Sequence, residues 1–196
     1  MKMEGKGFLL FWLGIFSAGF LLAAPATGWA RELHGVNFAD EIKIGADSCQ
    51  LTGIGVRKKF FVTVYYGGLY LKEPTRDRAL VIQSDQPKGV VLHVVYKEVP
   101  AEKWIEGWKE GFANNVADPG SDLQKKIDQF LACFNEPVKT GETVQVLYLP
   151  DKGTEVTIKG KPRTVIPGHD FMETLWSIWF GPHPASESLM KGMIGG

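Results

Sequence analysis

Residues 50–71 read QLTGIGVRKKFFVTVYYGGLYL, and this stretch decides the fold. Gln50 to Val56 and Phe60 to Leu71 are apolar, β-branched and aromatic runs separated by Arg57-Lys58-Lys59, a pattern that predicts a strand, a tight basic turn and a longer strand. In the second run Phe61, Thr63, Tyr65, Gly67, Leu69 and Leu71 share one face, and Val62, Val64, Tyr66, Gly68 and Tyr70 the other. Neither face is polar throughout, so the strand is expected to be covered on both sides.

Outward from this core, Ala79 to Gln83 and Val90 to Tyr96 read as further strands, with Pro87-Lys88-Gly89 as the turn between them. After Pro100 the period changes from two to about 3.6. Trp104, Ile105, Trp108 and Phe112 mark an amphipathic helix, and Leu123, Ile127, Phe130, Leu131 and Phe134 mark a second one opening at Ser121. Thr143 to Leu149 and Glu155 to Ile158 form a hairpin around Pro150 to Gly153, followed by a turn toward Thr164-Val165-Ile166. A third helix carries Phe171, Leu175, Ile178 and Trp179, with Asp170 and Glu173 at capping-box spacing, and Ser186 to Met193 forms a short last helix. With no internal repeat and no linker, the expectation is one α+β domain.

The chain has 196 residues, 22 Lys+Arg against 22 Asp+Glu, and 44% hydrophobic residues. This balance excludes a disordered chain and leaves no basic footprint for a nucleic-acid backbone. Lys2 and Lys6 precede an uncharged apolar run from Phe8 to Ala24 and then small residues up to Ala30, the pattern of a secretory signal. The expected division is residues 1–30 as signal and 31–196 as the domain, giving an exported, periplasmic or extracellular protein. The rival is an uncleaved anchor, the only expected contact with a membrane; the run of 17 residues is short of the ~20 that span a bilayer. In an oxidising compartment Cys49 and Cys133 form a candidate disulfide; two small buried thiols are the alternative.

Strong catalytic motifs are absent: no Walker A sequence, no G-x-S-x-G, no H-E-x-x-H and no C-x-x-C. No cofactor or metal is implied. Gly53-Ile54-Gly55 fails as a dinucleotide fingerprint because Arg57 and Lys58 stand where the third glycine belongs and a strand follows. Arg57, beside the most aromatic stretch of the chain, is a candidate to hold a carboxylate or phenolate by bidentate hydrogen bonds; the alternative is a basic turn pointing into water. Trp104 with Trp108, and Trp176 with Trp179, fall on single helix faces. They either wall a flat apolar cavity or simply pack the core.

Leu51 to Arg57, followed by a strand ending Gly68-Leu69-Tyr70-Leu71, resembles the opening motif of the chalcone isomerase-like proteins, and Trp179-Phe180-Gly181 resembles their closing motif. The helix start Ala101-Glu102-Lys103 and the step Glu110-Gly111-Phe112 fall in matching order, so the resemblance covers about residues 33–195 and is closest to the exported bacterial members. It implies an open-faced β-sandwich, a long antiparallel sheet covered by a helical layer. It also implies that Arg57 matches the arginine that stabilises developing negative charge in the plant enzymes. The family's active-site threonine falls at Tyr65, its catalytic tyrosine near Trp104, the neighbouring lysine and asparagine near Gly107 and Gly111, and the polar residue of the last helix at Ile178. One polar anchor is therefore kept while its partners are replaced.

The resemblance accordingly implies a non-catalytic protein that binds a small apolar or amphipathic molecule with an anionic head, fatty-acid-like. The head would sit on Arg57 with Tyr65, or alternatively Tyr70, and the tail along Trp104, Trp108, Ile178 and Trp179. Two alternatives stand beside it: an intramolecular lyase of chalcone-isomerase type, and a structural or partner-binding envelope protein whose indoles fill their own cavity.

Overall fold

The computed structural model describes Met1 and residues 30–196, so the expected signal segment lies outside the described residues apart from its two ends. Among the described residues eleven strands and five helices follow in the order β1 (Ala30–Leu33), β2 (Val36–Ala39), β3 (Glu41–Ile44), β4 (Asp47–Lys59), β5 (Val62–Leu71), α1 (Arg78–Gln83), β6 (Lys88–Val94), β7 (Glu98–Val99), α2 (Ala101–Asn115), α3 (Gly120–Leu131), β8 (Val138–Lys139), β9 (Thr143–Leu149), β10 (Gly153–Ile158), β11 (Lys161–Ile166), α4 (His169–Phe180) and α5 (Glu187–Met193). Seven strands make one antiparallel sheet in the order β11-β10-β9-β6-β5-β4-β3; β1-β2 and β7-β8 are separate two-stranded pairs. The fold is α+β, as the change of period at Pro100 implies.

One face of the sheet is covered by the helical layer, the other only in part, by the N-terminal strands. On one side Leu69, Leu71, Val90, Leu92, Val144 and Val146 pack under the helices against Phe130, Phe171, Leu175 and Trp176. On the other, Cys49, Leu51, Tyr66, Tyr70 and Val91 pack against Phe38 and Ile44 from the N-terminal strands. Arg31 ties β1 down through Asp40 at 3.0 Å and the carbonyl of Leu51.

The structure corrects five sequence expectations. Lys88 and Gly89 open β6, paired with Leu71 and Tyr70, rather than forming a turn with Pro87. Arg57-Lys58-Lys59 is not the turn: β4 continues to Lys59, which pairs with Val62, and the turn falls on Phe60-Phe61. Ala79 to Gln83 is helix α1 rather than a strand, because Asp77 caps it, accepting from the backbone N–H groups of Ala79 and Leu80. Asp170 forms no capping box; α4 starts after Gly168, and the Asp170 carboxylate pairs with Lys126 at 2.7 Å. Cys49 and Cys133 are free and buried, in the cores on opposite faces of the sheet, so the candidate disulfide is not made. Burial pushes both thiols up to about 11.

Gly53 and Gly55 have a packing role. A Cβ at Gly55 would lie 1.9 Å from the Leu189 carbonyl oxygen, and one at Gly53 2.3 Å from that of Gly192. The two glycines let the backbone of α5 rest directly on β4.

Candidate functional site: a cavity between the sheet and the helical layer

Arg57 and Tyr65 face each other across β4 and β5, and a β-bulge makes them do so. Lys59 pairs with Val62 and Lys58 with Thr63, but Arg57 pairs with Tyr65, leaving Val64 as the extra residue. The carbonyl of Val64 accepts from the N–H groups of Val95 and Tyr96 at 3.0 and 3.1 Å, which holds the bulge in place. Val62, Val64 and Tyr65 all reach the same side as Arg57, against the strict alternation expected of the strand.

That side opens into a cavity of about 410 Å³. Arg57, Val64 and Tyr65 form its floor; Trp104, Gly107 and Trp108 of α2 and Ile178 and Trp179 of α4 form its walls. Lys59, Phe60, Val62, Tyr96, Glu98, Lys103 and Glu110 also line it. The Tyr65 ring stacks on Trp104 with centroids 5.6 Å apart, Trp104 stacks on Trp108 at 6.1 Å, and Trp179 meets Trp108 edge-on at 5.5 Å. The indoles wall the cavity without filling it, unlike the arrangement the envelope-protein alternative requires.

Six of the seven residues expected to contact a ligand therefore converge: Arg57, Tyr65, Trp104, Trp108, Ile178 and Trp179. Tyr70 does not. It belongs to the core on the far face, where its hydroxyl donates to the Ala39 carbonyl at 3.0 Å. Sequence reasoning missed Phe60, Val62, Val64, Tyr96 and Glu98. The pair Phe60-Phe61 between lysines and valine was an available signal, whereas the contribution of Val64 depends on the bulge.

Arg57 is half-buried, and among the described residues its guanidinium takes part in no ion pair or side-chain hydrogen bond. Burial pushes the Tyr65 phenol above its ordinary pKa, opposed by the Arg57 cation, so the hydroxyl is a neutral donor at physiological pH. The Trp179 indole stands near enough to favour the phenolate without closing to hydrogen-bond geometry. The Nε1 atoms of Trp104, Trp108 and Trp179 are all buried without a partner. A planar cation, a neutral phenol and an apolar wall suit a molecule with one anionic end. The polar side chains on the lining are Arg57, Lys59, Tyr65, Tyr96, Glu98, Lys103 and Glu110.

A long antiparallel sheet carrying its cavity beneath a helical layer is an open-faced β-sandwich. The chain belongs to the chalcone isomerase-like family, whose model matches residues 30–195. Among solved structures it is similar to a fatty-acid binding protein of Arabidopsis thaliana, with a TM-score of 0.70 and 18% identity over 85% of this chain and 96% of that one. No curated protein matches it in sequence.

Proposed function

We propose that this protein is a non-catalytic binder of a small amphipathic molecule with an anionic head, fatty-acid-like, and that it works outside the cytoplasm. The observation that carries the reading is Arg57, an unpaired half-buried cation at the floor of an aromatic cavity. The head is held by the guanidinium with the Tyr65 hydroxyl beside it, and the tail lies along Trp104, Trp108, Ile178 and Trp179. The fatty-acid binding of the similar Arabidopsis protein supports the ligand class. The non-catalytic reading is supported by Trp104, Gly107, Gly111 and Ile178, which stand where the resemblance assigns the remaining polar groups of the isomerases. Export rests on Lys2, Lys6 and the apolar run Phe8 to Ala24, and N-terminal sequencing of the protein from an expressing cell tests it.

Palmitate tests the binding. At a hundredfold excess over Kd a ligand stabilises the folded state by about 2.7 kcal/mol, which for a chain of this size raises Tm by roughly 5–10 °C. Native mass spectrometry should show a one-to-one adduct, and Arg57→Ala should remove most of the shift. No adduct and no shift with palmitate would overturn the reading. Loss of a chalcone's absorbance faster than in buffer, and dependent on Arg57, would establish the isomerase instead.

A further inference from the structure

We propose that the tip of the β4–β5 hairpin is a membrane-docking wedge that seats the mouth of the cavity on an anionic lipid surface. Phe60 and Phe61 are 89% and 100% exposed and Val62 is 47% exposed, so three consecutive apolar side chains project into water at the end of the two longest strands. Apolar residues scattered singly on a surface need no explanation, but a contiguous group at a protruding tip does. The turn chemistry sharpens the point. A two-residue turn between paired strands favours Asn or Gly where φ is positive, yet Phe60 holds φ +55. Phenylalanine is a poor fit to the backbone at Phe60, and neither ring is buried.

The charges beside the tip fit phospholipid headgroups. Among the described residues the exposed Lys58 and Lys59 take part in no ion pair. The nearby Lys103 is tied to Glu106 at 2.6 Å and Glu98 faces Lys139 at 3.5 Å, which leaves Glu110 as the unpaired acid on the cavity lining. The size of the tip argues for lipid over protein. A specific protein interface buries ~1,200 Å² or more, far beyond what two rings and a valine supply. A bilayer boundary takes aromatic side chains without a complementary partner surface and attracts basic residues. Lys59, Phe60 and Val62 also line the cavity, so an immersed tip brings its mouth to the headgroup layer. The docking itself does not depend on what the cavity holds.

The test is co-sedimentation of the full chain with vesicles of phosphatidylcholine, alone or with one third phosphatidylglycerol, and no fatty acid added. Phe61→Ser and Lys58→Glu change tip residues that do not line the cavity. Each should weaken binding to the anionic vesicles about tenfold, with weak binding to the neutral ones. Residues 8–24 are common to every variant. A readout at the tip itself separates their contribution: an environment-sensitive dye on Phe61→Cys, with Cys49 and Cys133 buried, should shift to the blue on anionic vesicles and lose that shift when Lys58→Glu is added. Equal binding by Phe61→Ser and the unmodified chain, or a dye that does not shift, overturns the proposal. So does a change in self-association on Phe61→Ser with no change on vesicles, which would make the tip a contact between copies of this chain.

Discussion

Gly55→Ala isolates the backbone contact between β4 and α5. Its Cβ would stand 1.9 Å from the Leu189 carbonyl oxygen, 2.6 Å from the carbonyl carbon and 2.7 Å from Cα, all backbone atoms with no rotamer to change. Ordinary contact begins at 3.4 Å, so α5 must retreat by at least about 1.5 Å. The retreat loosens Leu189, Met190 and Met193, at 1%, 3% and 0% exposure. Fully burying each is worth ~1.5–3 kcal/mol, and losing about half of that, close to the usual upper cost of overpacking, gives ~3 kcal/mol. For a domain of this size Tm should fall by roughly 6–12 °C. The cavity should suffer too, because Ser188 Oγ donates to the Val56 carbonyl at 3.0 Å and Ala185 lines the wall. Thermal and urea unfolding measure the stability loss, and the palmitate-induced shift in Tm measures the cavity. Gly107→Ala is the control: its Cβ meets nothing within 4 Å, and replacing a mid-helix glycine gains ~0.5–1 kcal/mol. A loss below ~1 kcal/mol for Gly55→Ala would refute the backbone-contact account of the Gly-x-Gly step.

Gly107→Phe places a ring at the cavity wall and should abolish the palmitate shift while leaving the unliganded Tm unchanged or higher; a retained shift would mean the ligand lies elsewhere. Lys88 is buried, with burial pushing its ammonium down to about 7, yet its Nζ donates to the carbonyls of Val81, Ile82 and Ser84 at 2.7–2.9 Å and so closes the end of α1. Lys88→Met strands those carbonyls and should cost ~3 kcal/mol in urea unfolding. Hydrogen bonds from Lys159 and Arg163 hold Glu136 down to about 2, from an ordinary 4.5. The unfolded state therefore takes up the proton first as pH falls, and this stabilisation, full above 4.5, is lost toward 2. Glu136→Gln should flatten the dependence of Tm on pH across that window, and an unchanged slope would exclude the pair as its source.

What the sequence disclosed and what it hid follow from the length of the signal. The helices around Trp104, Phe130 and Trp179 each repeat the 3.6-residue period over three turns, and α2, α3 and α4 formed where that period is legible. Four-residue strands have no such redundancy, so β1, β2 and β3 left no readable pattern, although they bring Phe38 and Ile44 to the second core. Ala79 to Gln83 is short and apolar enough to suit either state, and the deciding cue was Asp77 outside it. Tyr70 was separable from Tyr65 by parity alone, since an odd spacing along a strand sends side chains to opposite faces. Charge suggests solvent and so a turn at the basic triplet, whereas the chain turns at the two phenylalanines.

Parity also explains why the candidate site resisted a reading from strand pattern. Without the extra residue at Val64 the ladder from Lys59–Val62 would put Val64 opposite Arg57 and Tyr65 opposite Val56, and the guanidinium and the phenol would face opposite sides of the sheet. Alternation alone predicts that separation. The bulge is fixed by contacts distant in sequence, the N–H groups of Val95 and Tyr96 converging on one carbonyl of β5. The family resemblance located Arg57 and Tyr65 because it carries the outcome of that long-range pairing, which composition and periodicity do not. The juxtaposition of Arg57 and Tyr65 is therefore a property of three segments: β4 supplies the cation, β5 the phenol, and the residues after β6 the hydrogen bonds that bring the two to one side.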